Sequence, residues 1–225
     1  MNFDIVTTLL SIPAILIALT VHEYAHGYAA YRLGDPTARS LGRLSLNPMR
    51  HLDPIGAICM LFFHFGWAKP VPINARYFKK PRRDMAITAL CGPISNFLLA
   101  FLGAFLYVGL FVLLQYLPFD IAISSFSYRL LEYTLRFLYY FHFINLAFGI
   151  FNCLPIPPLD GSRFFFLLLP PKAYFRVMRY EQYISLILML LLFTGAFTGI
   201  LSTAAEWLSD NIINFVGNIF QYFMR

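Results

Sequence analysis

The sequence predicts an all-α, multi-pass membrane protein built as a bundle of about four transmembrane helices. Of its 225 residues, 59% are hydrophobic and only 12% are charged, whereas charged residues make up about 25% of an average soluble domain. Four long apolar stretches exceed the roughly 20 residues that cross a bilayer, and segments with more polar residues or prolines separate them. We therefore expect one membrane-embedded domain over residues 1–225.

The four predicted spans cover residues 5–31, 85–115, 130–153 and 183–206. The N-terminal MNFDIV lacks the basic flank and small-residue cleavage site of a secretory signal, so we expect the first stretch to remain as a helix. In the fourth stretch, Gly195 and Gly199 have a GxxxG spacing, which favours close helix packing.

Three further segments do not fit a simple span. Residues 55–68 are apolar but short, which favours a re-entrant or interfacial segment over a crossing. Residues 69–77 alternate apolar and polar side chains and contain two prolines, which predicts a short β-hairpin. Near the C-terminus one helical face is apolar and the other is rich in amides, which predicts a short interfacial helix or one that packs against the bundle. The apolar face consists of Ile212, Ile213, Phe215, Val216, Ile219, Phe220 and Phe223.

The net charge of +6 is distributed by topology. Basic residues concentrate in two connecting regions, while the remaining loop and the C-terminus have almost none. The positive-inside rule therefore predicts a cell-membrane protein with both basic regions in the cytoplasm, and it argues against a nucleic-acid partner. These residues are Arg32, Arg39, Arg43, Arg50, Lys69, Arg76, Lys79, Lys80, Arg82 and Arg83, followed by Arg163, Lys172, Arg176 and Arg179.

The end of the first apolar stretch carries the motif HEYAH, residues 22–26. Residues i and i+4 of a helix share a face, so His22 and His26 present two imidazoles to one point, where a zinc ion can bind. Glu23 is rotated away from that point, but its carboxylate can reach a metal-bound water and accept a proton from it as a general base. Ionisable groups at membrane depth are costly and usually functional. The cytoplasmic end of this helix is thus the predicted catalytic end.

A catalytic zinc site requires a third protein ligand. Asp160 is favoured because three prolines place this carboxylate on an irregular turn at membrane depth, on the same side as the end of the first helix. The other candidates are better explained as solvated, turn-forming or packing residues, namely Asp35, His51, Asp53, His64 and His142.

Four motifs together resemble the site-2 proteases, which are intramembrane zinc metalloproteases. They are HEYAH, CGPISNFLLA at 91–100, FNCLPIPPLDG at 151–161 and GWAKPVPIN at 66–74, and the last is similar to the compact prokaryotic branch. Many members have Asn-Pro before the Asp-Gly, whereas this chain has Pro158 and Leu159. We expect neither a PDZ nor a nucleotide-sensing domain.

The resemblance implies a role for each matching residue. His22, His26 and Asp160 would bind one zinc ion per chain, Glu23 would be the catalytic base, and Asn152 would contact the substrate backbone. A family motif on the neighbouring helix matches Gly92, Pro93 and Asn96, although the residues alone are equally consistent with a helix start and a packing amide. The hairpin at 69–77 resembles a membrane-inserted β-loop that holds unwound substrate.

The predicted function is hydrolysis of peptide bonds in transmembrane protein or peptide substrates within the lipid bilayer. An alternative is a membrane metal transporter or metal-binding protein that uses the same ligands without hydrolysis. A transporter requires further ligands along a path, and the helices at 85–115 and 183–206 offer no such series. The sequence leaves the substrate and the oligomeric state open.

Overall fold

The computed structural model describes residues 5–56, 59, 67–116, 125–196 and 198–224, and most of these are helical. We number the helices α1 (Ile5–Arg32), α2 (Thr37–Ser40), α3 (Pro81–Tyr116), α4 (Ser125–Asn152), α5 (Asp160–Phe165), α6 (Pro171–Arg179), α7 (Glu181–Phe193) and α8 (Thr198–Phe223). Single 3-10 turns cover Pro48–Arg50, Ala75–Tyr77 and Phe166–Leu168.

Helices α1, α3 and α4 pack against one another and form the centre of the protein. α1 and α3 are antiparallel, because the His26 side chain of α1 bonds to Thr88 while the Asn96 side chain of α3 bonds to Ala18. α4 returns antiparallel to α3. Three successive antiparallel helices agree with a chain that crosses a bilayer back and forth.

Two helices of the described part are long and apolar enough to cross a bilayer, over Ile5–Arg32 and Pro81–Gln115. α4 is also long, but Arg129, Glu132 and Arg136 lie in its first half. α8 likewise carries Glu206 and Asp210. The membrane character of the fold thus rests most directly on α1 and α3.

The predicted fourth span is wrong as a single helix. α7 ends at Phe193, and Gly195 adopts the left-handed conformation with φ +73°. Ala196 N donates to Leu191 O and Gly195 N donates to Leu192 O, which is the hydrogen-bond pattern of a Schellman cap. Gly195 therefore terminates α7. A Cβ built on Gly199 meets no atom of the described residues within 4 Å, so the GxxxG spacing does not mark close packing among them.

The predicted short C-terminal interfacial helix is instead part of α8, which packs against the bundle. Val216 is completely buried against Ala104 and Val108 of α3. The rings of Phe105 and Phe220 also contact each other, with centroids 5.0 Å apart. The middle of the predicted apolar face thus packs onto α3, which was the second of the two alternatives. Phe215 and Phe223 of the same face remain exposed.

The predicted hairpin is not found, since residues 69–77 form no strand. One isolated antiparallel bridge joins Leu52 to Ala68, and an extended stretch leads from there into the 3-10 turn Ala75–Tyr77. Pro70 and Pro72 have no N–H groups, so they cannot complete a ladder of hydrogen bonds. Most of the predicted re-entrant segment at 55–68 lies outside the described residues.

Candidate metal centre

The HEYAH motif lies in the last third of α1, where the helix is covered by its neighbours. His22, Glu23 and His26 expose 4%, 9% and 7% of their surfaces. The two imidazole rings meet edge to face, with centroids 4.5 Å apart. The helical spacing therefore brings both rings to one point, as the motif predicted.

Asp160 reaches the same point because the chain turns back sharply after α4. It is the first residue of α5, and Gly161 follows it. A Cβ on Gly161 would lie 2.2 Å from the carbonyl oxygen of Cys153, so only glycine fits this turn. The turn places the carboxylate against α1.

Three potential ligand atoms form a small triangle. Asp160 Oδ2 lies 2.9 Å from His22 Nε2 and 3.1 Å from His26 Nε2, and the two Nε2 atoms are 3.0 Å apart. Tetrahedral zinc ligands with bonds of about 2.0–2.1 Å lie roughly 3.3 Å from one another. The three atoms therefore have nearly the spacing of one face of a zinc tetrahedron, and His22, His26 and Asp160 can together hold a metal ion.

An amide network fixes the His22 ring. Asn96 Nδ2 donates to Ala18 O at 3.2 Å and to Asn145 Oδ1 at 3.0 Å, so the Asn96 oxygen is left to accept from His22 Nδ1 at 2.6 Å. In turn, Asn145 Nδ2 donates to Phe141 O. The hydrogen of the neutral His22 ring is thereby assigned to Nδ1, and the lone pair of Nε2 faces Asp160.

A backbone carbonyl does the same for His26. Its Nδ1 donates to Thr88 O at 2.8 Å, which leaves the Nε2 lone pair facing the two other ligand atoms. Hydrogen bonds of this kind to the second ring nitrogen orient metal-binding histidines. Three acceptor atoms thus converge on one point, an arrangement that suits a bound metal ion.

Gly92 of α3 makes room for the two rings. A Cβ at this position would lie 2.5 Å from Cε1 and Nε2 of His26 and 2.7 Å from Cε1 of His22. Gly92 and Pro93 lie inside α3 and not at its start. The motif at 91–100 therefore supports the site, and Asn96 is more than a packing amide.

A cavity of about 630 Å³ opens onto the three ligands. Glu23 lines it and accepts a hydrogen bond from Val71 N at 2.8 Å. Asn152 also lines it, and its Nδ2 donates to Phe148 O at 3.0 Å. The extended stretch contributes one wall and α7 contributes another, namely Trp67, Ala68, Pro70, Val71 and Ile73, and Ser185, Leu188, Met189 and Leu192.

The other candidate ligands make hydrogen bonds away from the metal centre. Asp35 is fully buried and binds the backbone of Thr37 and Asn74, and Asp53 accepts from two backbone N–H groups of its own turn. His51, also buried, bonds to Ser45 O. Asp35 and His51 are therefore buried and not solvated. His142 lies between Ala100 O and the Ser209 hydroxyl, and His64 lies outside the described residues.

Sequence reasoning missed Thr88, Asn145 and Val71. A polar residue inside an apolar helix signals a buried role, so Asn145 could have been found in this way. Thr88 and Val71 act through their backbone groups, which the sequence does not distinguish. Among the described residues, His22, His26 and Asp160 are the one group of three that could hold a metal, so nothing favours the transporter alternative.

Comparison with known proteins identifies the family of this chain. A Bacillus subtilis (strain 168) protein named "Putative zinc metalloprotease YwhC" is 38% identical over 92% of this chain and 90% of its own length. "Zinc metalloprotease MJ0392" of Methanocaldococcus jannaschii is 27% identical over 93% of this chain and 46% of its own. No solved structure gives a significant match. The model of peptidase family M50 matches residues 10–195, and the chain therefore belongs to this family, the site-2 proteases, as its motifs indicated.

Proposed function

We propose that this protein is an intramembrane zinc metalloprotease that hydrolyses peptide bonds of transmembrane segments. The observation that carries the proposal is the convergence of His22, His26 and Asp160 within 3.1 Å of one another. Glu23 and the cavity lie beside these three residues. Family membership and the names of the relatives support a zinc metalloprotease.

His22, His26 and Asp160 would hold one zinc ion per chain. Bound zinc lowers the pKa of water to about 7 and polarises a carbonyl group. Glu23 takes the proton from the attacking water and returns it to the leaving amine, which is the work of a general acid and base. Glu23 is largely buried and lines the cavity, so its carboxylate meets water there and not on the outer surface.

Asn152 is the proposed substrate-orienting residue. Its hydrogen bond to Phe148 O uses one N–H and leaves the amide oxygen and the other N–H for the substrate. An amide beside the metal ligands can donate to a scissile carbonyl or to the oxyanion that develops there. Asn152 would thus align the peptide with Glu23.

The substrate has to be locally unwound, because a helix hides its amides in its own hydrogen bonds. The extended stretch at 67–74 is the proposed docking wall, in place of the hairpin predicted from the sequence. Its carbonyl groups can replace the hydrogen bonds that substrate N–H groups lose. We therefore expect transmembrane segments with weak helix propensity to be preferred.

In the proposed topology the chain crosses the cell membrane and the catalytic end of α1 faces the cytoplasm, and the distribution of basic residues supports this orientation. Arg32 ends α1, and the connection to α3 is rich in lysine and arginine. Cytoplasmic segments next to spans are enriched in these residues. Cleavage is therefore expected near the cytoplasmic ends of substrate spans.

Glu23→Gln tests the proposed chemistry. The purified, zinc-loaded variant should keep its metal. Its rate of cleavage of single-span substrates should fall by about 10²- to 10⁴-fold, since glutamine cannot accept the proton. Glu132→Gln, which changes a partly exposed glutamate paired with Arg136, is the control and should cleave normally. An active Glu23→Gln protein, or metal flux into liposomes that survives this change, would overturn the proposal.

A further inference from the structure

The carboxylate of Glu23 is held by the backbone of the cavity wall. Val71 N donates to Glu23 Oε2 at 2.8 Å, and both groups are buried. Glu23 is 48 residues away from Val71 along the chain, so tertiary packing alone brings them together. A hydrogen bond to a charged acceptor is stronger than one between neutral groups, which makes it an effective restraint on this side chain.

The same stretch is tied to the protein body on both sides of Val71. Lys69 N donates to His51 O at 2.8 Å, and Asn74 N donates to Asp35 Oδ2 at 2.6 Å. The Val71 side chain also packs onto α1, since a Cβ on Gly27 would lie 3.2 Å from its Cγ1. The wall is therefore firmly placed, and its hydrogen bond can define the position of Glu23.

Few backbone donors of the stretch remain for anything else. Pro70 and Pro72 have none, and Lys69, Val71 and Asn74 use theirs as described. Among residues 69–74 only the N–H of Ile73 makes no hydrogen bond to a described residue. The two flanking prolines cannot compete with Val71 for the carboxylate, so the sequence PVPI leaves Val71 as the donor nearest to Glu23.

The geometry points to Val71 as a positioning residue for the catalytic base, acting through its backbone N–H and not through its side chain. This inference rests on the proposed function, because it assumes that Glu23 is the base. The hydrogen bond would fix one carboxylate oxygen against the wall along which the substrate lies. Base and substrate would then share one support, so that the carboxylate meets the attacking water in the correct place.

An amide-to-ester substitution tests this inference directly. Full-length protein with 2-hydroxyisovaleric acid at position 71, introduced by nonsense suppression, keeps the valine side chain but lacks the N–H. We expect kcat to fall roughly ten- to hundredfold, the range for one hydrogen bond to a charged group. KM should change by less than about threefold, and zinc content should stay that of wild type, since neither reports the placement of the base.

Position 73 offers a matched control. The corresponding ester at Ile73 also follows a proline and also weakens the preceding carbonyl as an acceptor, but it removes an N–H that has no partner among the described residues. Because Ile73 lies in the proposed docking wall, we expect its ester to raise KM, while its kcat stays within about twofold of wild type. Protein made by the same suppression with valine at position 71 checks the method.

Three results would overturn the inference. The first is an unchanged kcat for the ester at 71, and the second is an equal loss of kcat for the ester at 73. The third is an effect of the ester at 71 on KM or zinc content with no change in kcat. Failure of the proposed function is separable, because it would appear as an inactive wild type or as an active Glu23→Gln protein. If wild type is active and Glu23→Gln is inactive, a wild-type kcat for the ester at 71 contradicts only the role of Val71 and leaves the proposed function intact.

Discussion

Replacing Gly92 with alanine tests the metal centre through its packing. The new Cβ would lie 2.5 Å from Cε1 and Nε2 of His26 and 2.7 Å from Cε1 of His22. Carbon atoms in contact are about 3.5–4.0 Å apart, so the rings or the helices have to separate by about 1 Å. The rings cannot turn away freely, since Asn96 and the Thr88 carbonyl hold both Nδ1 atoms.

A displacement of about 1 Å is several times the roughly 0.2 Å tolerance of metal–ligand distances. We therefore expect Gly92→Ala to weaken zinc binding by about 100-fold or more and to lower cleavage in parallel. Helix propensity acts in the opposite direction, because alanine is better than glycine in a helix interior by about 1 kcal/mol. A net loss of about 1–3 kcal/mol in the free energy of unfolding would therefore report the overpacking.

Zinc content after dialysis, competition with a chelator and thermal unfolding in detergent measure these effects. Gly103→Ala is the matched control on the same helix, since a Cβ there would lie 2.9 Å from Phe141 Cδ1 and 3.0 Å from the His142 backbone. It should lose stability but bind zinc normally. A Gly92→Ala protein that binds zinc as tightly as wild type would refute the reasoning.

Three further substitutions separate metal binding, stability and substrate binding. Asn96→Ala removes the acceptor that orients His22, and chelator competition should show zinc affinity lowered about 10- to 100-fold; unchanged affinity would contradict the network. Ser209→Ala leaves His142 Nε2 buried without its partner, so thermal unfolding should report a loss of about 1–3 kcal/mol with normal zinc content; lost zinc would argue against a purely structural role. Asp35→Ala releases the N–H of Asn74, so steady-state kinetics should show a higher KM at unchanged zinc content, and an unchanged KM would argue against the docking wall.

The sequence was most informative where the chemistry is local. HEYAH is a helical pattern within five residues, so the convergence of His22 and His26 follows from helix geometry alone. The position of Asp160 was also predictable, because prolines after a long apolar helix force the chain to turn. The structure brings all three together, while their role as metal ligands remains a prediction.

The errors concern places where backbone hydrogen bonds decide the structure. The break after α7 depends on the left-handed conformation of Gly195, and a GxxxG spacing has two explanations that the sequence does not separate. The predicted hairpin does not form because two backbone N–H groups of this stretch donate to carboxylates and not to a second strand. Val71 N donates to Glu23, and Asn74 N donates to Asp35. The alternation of apolar and polar side chains does not show which groups the backbone N–H groups bind.

The buried polar residues of the bundle show how one set of hydrogen bonds can serve both folding and chemistry. An unpaired polar group at this depth is costly, so each amide has to be satisfied within the protein. Asn96 meets this requirement by joining α1, α3 and α4, and the same bonds orient His22. Ser209 and His142 join α4 to α8 in a similar way but do not contact the ligands. Zinc affinity and fold stability are therefore expected to be coupled at Asn96 and independent at Ser209.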